Sequence, residues 1–286
     1  MSLADLVGAA YGPETVAISA AKVAEFVDVT GDETARWSQH APPSYAGALL
    51  FVVAPRFLFS DRARPFTRVL IHSDQLFRWH RPLRIGDEMV VSAGVARVRA
   101  RDGMSIVTFS ASMQSGGEAI VESESTFVMS GDAGPDPGPD RPEPPVERRA
   151  ASDRVHGIVL GTPGSDLVPL SKSASRLDLV RYAGASGDFN PIHFDHFTAR
   201  EAGFPGVIAH GLLVGAWAGQ LAAAGGTGVA PLIDLRLRFH NPLYPGSAAM
   251  VRGRVDEVAE GRASLRLAVD VDGLELATGR ATVRRE

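Results

Sequence analysis

The chain is written twice. The segment "FRWHRPLRIGDEMVV" at 77–91 returns as "LRFHNPLYPGSAAMV" at 237–251, so His80, Pro82, Leu83 and Gly86 fall on His240, Pro242, Leu243 and Gly246 at an offset of 160. On either side the offset drifts only slightly. Thr30-Gly31-Asp32 corresponds to Ser186-Gly187-Asp188, and the turn at Gly116-Gly117 to Asp272-Gly273. Several features in one order at a near-constant spacing mark an internal duplication, and they restrict the chain to two copies of one unit. Between the copies, "GDAGPDPGPDRPEPPVERRAASD" at 131–153 holds six prolines and four aspartates with almost no large apolar side chain. Such a stretch cannot form a packed element and predicts an extended, surface-running linker. The expected organisation is an N-terminal half at 1–130, the linker at 131–153 and a C-terminal half at 154–286, each half of ordinary domain size.

Periodicity tells the same story inside each half. Val107, Phe109, Ala111 and Met113 alternate with Thr108, Ser110 and Ser112, as Leu265, Leu267, Val269 and Val271 do with Arg266, Ala268 and Asp270. Such period-2 runs, bounded by Asp102-Gly103, Gly116-Gly117, Glu260-Gly261 and Asp272-Gly273, predict antiparallel hairpins. Ahead of them an apolar run reads as a helix, Tyr45 to Ala54 in the first half and Gly206 to Ala224 in the second. A sheet with one apolar face must cover it, and the long helix is the available cover. The expectation is an α+β chain in which an antiparallel sheet wraps around a long central helix, twice.

Composition excludes several classes of function. The formal charge of −4 provides no basic field for nucleic acid. Cysteine is absent, which removes disulfides, thiolate metal sites and Cys nucleophiles and fits a reducing, cytoplasmic setting. The N-terminus has no basic region leading into an apolar one, so no secretory signal is expected. Gly206 to Ala224 is apolar enough to raise the question of a membrane span. It carries His210, Gln220 and several glycines, and reads better as a buried core helix. No P-loop, GxGxxG or GxSxG motif is present.

Chemistry concentrates in "SGDFNPIHFD" at 186–195. Gly-Asp and Asn-Pro are ordinary turn formers, and Asp188 alone would read as a capping residue. Asn190-Pro191 fixes an extended or turn geometry. Asp188 and His193 then stand five residues apart on a stiffened loop, where a carboxylate and an imidazole can converge to move protons. The run His193-Phe194-Asp195-His196 suits no standard zinc spacing.

The longer segment "YAGASGDFNPIHFDHFTAREAGFPGVIAHGLL" resembles the signature of the MaoC-like hydratases, also called hydratase 2 or (R)-specific enoyl-CoA hydratases. Tyr182, Gly187, Asp188, Asn190, Pro191, His193, His210 and Gly211 carry the match. The resemblance implies the hotdog fold, here as a double hotdog, and reversible hydration of a 2-enoyl thioester to an (R)-3-hydroxyacyl thioester without a cofactor or metal. It implies Asp188 and His193 as the catalytic pair, with acid and base roles unassigned because a coupled pair titrates as a unit. It further implies Asn190 and His210 as substrate-binding and the Gly211 N–H as oxyanion donor. The substrate would be an acyl-CoA or acyl-carrier-protein thioester, with a homodimer as an open alternative to the monomer. The same chemistry run as dehydration of a 3-hydroxyacyl carrier-protein thioester, or a non-catalytic acyl-binding hotdog, are the competing readings.

The first half answers why the chain needs a second copy of this loop. "VTGDETARWSQH" keeps Gly31-Asp32 but lacks the Asn-Pro-x-His, and no His-Gly precedes its helix. The N-terminal half is therefore expected to be catalytically degenerate and to accommodate the acyl chain.

Overall fold

In the computed structural model, which describes residues 2–142, 153 and 160–285, each copy is built of a leading strand, helices and four further strands, the last three of which form a meander. The N-terminal copy comprises β1 (Ala10–Ala17), α1 (Ala20–Thr30), α2 (Ala46–Leu50), α3 (Ala54–Leu58), β2 (Val69–Trp79), β3 (Glu88–Arg101), β4 (Met104–Ser115) and β5 (Glu118–Ser130). The C-terminal copy comprises β6 (Leu170–Lys172), α4 (Arg176–Ser186), α5 (His196–Glu201), α6 (Gly211–Ala224), β7 (Leu232–Phe239), β8 (Ala249–Ala259), β9 (Arg262–Val271) and β10 (Leu274–Arg284).

The strand order is β1-β3-β4-β5-β2-β7-β10-β9-β8-β6, so the second copy repeats the first in mirror sequence about one seam. At that seam β2 and β7 pair antiparallel, with Gln75 opposite Leu237, and join the two five-stranded sheets edge to edge. Each copy thereby covers one edge that it would otherwise leave open to aggregation. The hairpins form where expected. Asp102-Gly103 and Asp272-Gly273 both take positive φ at the two central residues, 51° and 78° in one and 51° and 82° in the other, the geometry that a tight two-residue hairpin demands.

The helices depart from expectation in two places. In the second copy α6 begins at Gly211 rather than Gly206, and Leu212 through Ala224 are all buried. Among the described residues no helix is long and apolar enough to cross a membrane. In the first copy the expected helix from Tyr45 to Ala54 is broken into α2 and α3 by a turn at 51–53. Pro55 is the cause. It has no N–H to return to Phe51, so it can stand in the first turn of α3 but cannot continue α2. The long central helix thus belongs to the second copy alone.

Two helices, α1 and α4, carry weak sequence signals and were not expected. Their ends explain them. Ser19 and Ser175 accept backbone N–H groups at the start, and Gly31 and Gly187 close them in the left-handed region at φ 64° and 79°. The Gly-Asp shared by both copies is therefore a helix stop followed by an aspartate. One apolar core runs through both halves, from Leu3 to Val283, so neither half buries its own surface independently.

The linker has no helix or strand over 131–142, while 143–152 lie outside the described residues. Its described part is docked rather than free. The Gly134 N–H donates to the Glu201 carbonyl (2.8 Å) and the Arg141 N–H to that of Pro205 (2.9 Å). Asp140 pairs with Arg200, and the Arg141 guanidinium lies 4.5 Å from the centre of the Tyr244 ring.

Candidate active site

The loop after α4 builds the site in a few steps. The Asp188 N–H donates to the buried Ser186 hydroxyl (3.2 Å), and its carboxylate accepts the Asn190 N–H (3.3 Å). The Asn190 side chain works in both directions. Its oxygen accepts the Ile192 N–H (3.4 Å) to start a single 3₁₀ turn over Pro191–His193. Its amide donates to the Leu70 carbonyl of β2 (3.0 Å), so the loop of the second copy is tied to a strand of the first.

His193 and His210 lie against each other, ring centres 3.7 Å apart and planes within 27°. Each ring meets a backbone carbonyl: His193 Nδ1 to Ile208 at 2.8 Å and His210 Nε2 to Asp188 at 3.1 Å. A carbonyl can only accept, so both of these nitrogens carry a proton. The His193 Nε2 is left with its lone pair. Asp188, His193 and His210 each offer a polar atom within 4.8 Å of the others.

Burial displaces these groups in opposite directions. Asp188 is pushed up to about 7 because its carboxylate loses water, with the Asn190 N–H offsetting only part of that. His193 is pushed down to about 4 by the same loss of solvation acting on a cation. Burial first, and the charge on His193 second, hold His210 well below the usual imidazole range. Near neutral pH both imidazoles are therefore neutral, and Asp188 is the group that titrates, exchanging its proton around pH 7.

Asp188, Asn190, His193 and Gly211 line a pocket of about 170 Å³ with an apolar wall that includes Phe51, Leu58 and Leu70 of the first copy. Gly211 opens α6. The Leu213 and Val214 N–H groups return to the His210 carbonyl at 3.1 and 3.3 Å, while that of Gly211 makes no hydrogen bond among the described residues. A Cβ at this position would lie 3.4 Å from the Phe239 ring, on the pocket side. An unpartnered N–H at a helix start is suited to receive developing negative charge.

Four of the five residues expected from the sequence meet at this pocket. His210 does not line it. It is fully buried behind His193 and its Nε2 meets the Asp188 carbonyl, away from the pocket surface. His240, one of the positions shared by the two copies, also lines the pocket, with Nε2 2.8 Å from the Thr278 hydroxyl. The sequence reading also missed His72 on β2, which faces the pocket beside Phe127 and Phe239. No local signal says which face of this strand meets the other copy.

The three groups at the site have the composition of a metal cluster, so their geometry decides the fit. A cation bound by both imidazoles would have to lie in both ring planes at about 2.0–2.1 Å from each nitrogen. Nearly parallel rings 3.7 Å apart do not provide that.

Comparison with known proteins matches the two copies separately. Residues 161–274 match the MaoC like domain, and residues 5–123 match the dehydratase domain region of FAS1-like proteins. The 3-hydroxyacyl-thioester dehydratase X of Mycobacterium tuberculosis is 26% identical over 210 residues, covering 71% of this chain and 66% of that protein. The 3-hydroxybutyryl-CoA dehydratase of Methylorubrum extorquens is 38% identical over 104 residues, covering 35% of this chain and 64% of that protein. The matches thus span just under two thirds of each of these relatives. A solved structure described as a MaoC-like dehydratase superposes over 100% of both chains with a TM-score of 0.82 at 21% identity, a likeness of fold. The chain thus carries a MaoC like domain in its second copy and a match to a dehydratase region in its first, on the double-hotdog fold of a MaoC-like dehydratase.

Proposed function

We propose that the pocket interconverts a 2-enoyl thioester and an (R)-3-hydroxyacyl thioester, with Asp188 and His193 as the proton-transferring pair and the Gly211 N–H as oxyanion donor. The observation that carries this reading is the convergence of the Asp188 and His193 polar atoms within 4.8 Å, in a pocket that Gly211 also lines. Hydration adds one water: its oxygen to C3 and one of its protons to C2. The neutral His193 Nε2 takes a proton from water as the C3–O bond forms. Electron density moves onto the thioester oxygen, where the Gly211 N–H stabilises it. The protonated Asp188 delivers its proton to C2, and the proton now on His193 passes back to Asp188 to restore the starting state. Dehydration is the same path reversed. The (R) configuration is what the family resemblance implies.

The N-terminal copy lacks the Asn-Pro-x-His of the second and supplies an apolar wall through Phe51, Leu58 and Leu70, which fits a role in holding the acyl chain. The cysteine-free chain fits a reducing compartment such as the cytoplasm. A hydration assay on crotonyl-CoA and longer 2-enoyl-CoAs tests the reading. Wild type should turn over at least one of them, and Asp188→Asn and His193→Ala should each lose on the order of 10²-fold or more in kcat. Unchanged rates in both variants would sink the assignment of the pair.

A further inference from the structure

The solvent face of the sheet carries a row of side chains that crosses both copies. Strand register sets Gly94, Ser110, Glu124 and Leu76 of the first copy side by side. Across the β2–β7 seam the row continues as Arg236, Arg280, Arg266 and Arg254, each directly opposite the next. All four arginines are exposed. Like charges directly opposite on neighbouring strands destabilise a sheet, and the first copy builds the same row with none. The fold does not require this ladder.

Its counter-charge within the chain is one-sided. Arg254 pairs with Asp166 (3.2 Å) and Arg266 with Asp256 (3.1 Å). Arg236 and Arg280 have no ion-pair partner among the described residues. In a chain of net charge −4 this is a local concentration of positive charge.

The ladder also lies beside the pocket. Arg236 is four residues along the chain from His240, roughly 13 Å at the rise of a strand, and His240 lines the pocket. Thr278 stands two residues before Arg280 on the same face of β10 and its hydroxyl lies 2.8 Å from His240 Nε2.

Spacing narrows the occupant. Neighbouring strands stand about 4.8 Å apart, and carboxylates three or four residues apart on a helix stand about 5–6 Å apart, a closely matching pitch. A polynucleotide fits less well, because the row ends in Leu76 and Glu124 on one side and Asp166 on the other. A second copy of this chain would offer Glu122 and Glu124 of its first half, but Arg78 stands directly opposite Glu122 and lessens that match.

Resting on the thioester reading above, we propose that the four-arginine row docks an acidic helix of a protein that carries the acyl thioester and presents it to the adjoining pocket. The test compares one 2-enoyl group on two carriers, CoA and a bacterial acyl carrier protein. The full chain is compared with R236S/R280S/R266S and with R280E, both of which keep residue types that the first copy tolerates in this row. The expected result is a KM for the protein-borne substrate that rises about tenfold in the triple variant with kcat retained, while the CoA kinetics move less than about twofold. Raising salt should reproduce the KM rise in the wild type, because exposed charges are screened within a few ångströms at high ionic strength. Equal shifts on both carriers, or none on either, would overturn the docking proposal. So would a change of oligomeric state in the triple variant by sedimentation, which would assign the row to a second copy. A wild type inactive on both carriers would remove the hydratase reading and this proposal with it, whereas activity on CoA alone would remove only the docking.

Discussion

Gly31-Asp32 and Gly187-Asp188 occupy the same place in the two copies, each glycine closing an 11-residue helix in the left-handed region. Beyond the aspartate the two diverge. Asp188 faces two neutral imidazoles and a pocket. Asp32 is also buried and also raised by burial, but the charges of Lys172 and Arg36 lie near it and offset part of that effect. Lys172 donates to the Gly31 carbonyl (3.0 Å) and Arg36 to that of Ala223 (2.8 Å), so this region ties the first copy to the second. The comparison separates what the shared fold needs from what is particular to the second copy. The glycine is a helix stop in both. The Asn, Pro and His appear only where a pocket has to be served.

The most severe way to break the comparison is to remove the first copy. A fragment of residues 154–286 would expose the β7 edge, lose the Leu70 anchor of Asn190 and lose the apolar wall of the pocket. We expect it to be insoluble or to show no hydration above background, and full activity in that fragment would refute the shared-site account. Next in size, Asp188→Asn should cost about 10²-fold or more in kcat whereas Asp32→Asn should leave kcat within about twofold. Comparable losses in both would mean that the first copy is catalytic.

A smaller effect is expected from Asn190→Ala, which frees the loop from β2 without removing a reacting group. Mispositioning of a catalytic loop should lower kcat on the order of tenfold with little change in KM, and a change confined to KM would place Asn190 in substrate binding instead. The smallest effect is on stability. The folded-state value of Asp188 lies near 7, against about 3.9 in an unfolded chain. The native state therefore holds an extra proton between those values, and stability falls as pH rises through that window. Asp188→Asn removes the buried carboxylate, so the Tm of the variant should exceed that of wild type at pH 8 by a few degrees. The difference should close towards pH 4. A Tm difference that does not vary with pH would show that the carboxylate is not penalised by burial.

The sequence by itself determined the duplication, the hairpins and the crowded loop, because these rest on local signals: repeated spacing, period-2 alternation and turn chemistry. The Asp-Gly turns at 102–103 and 272–273 formed as their residue types require. Asp188, Asn190, His193 and Gly211 were legible because all but Gly211 lie within one short segment. Tertiary structure alone decided the rest. Pro55 broke the first central helix, a local cause overlooked behind an apolar run, but the seam between β2 and β7 follows from no residue on either strand taken singly. Only packing placed His210 behind His193, because sequence spacing does not say which face of a loop histidine meets water. The arginine ladder has the same origin. Arg236, Arg280, Arg266 and Arg254 are scattered along 45 residues of chain and become neighbours only when strand register is fixed.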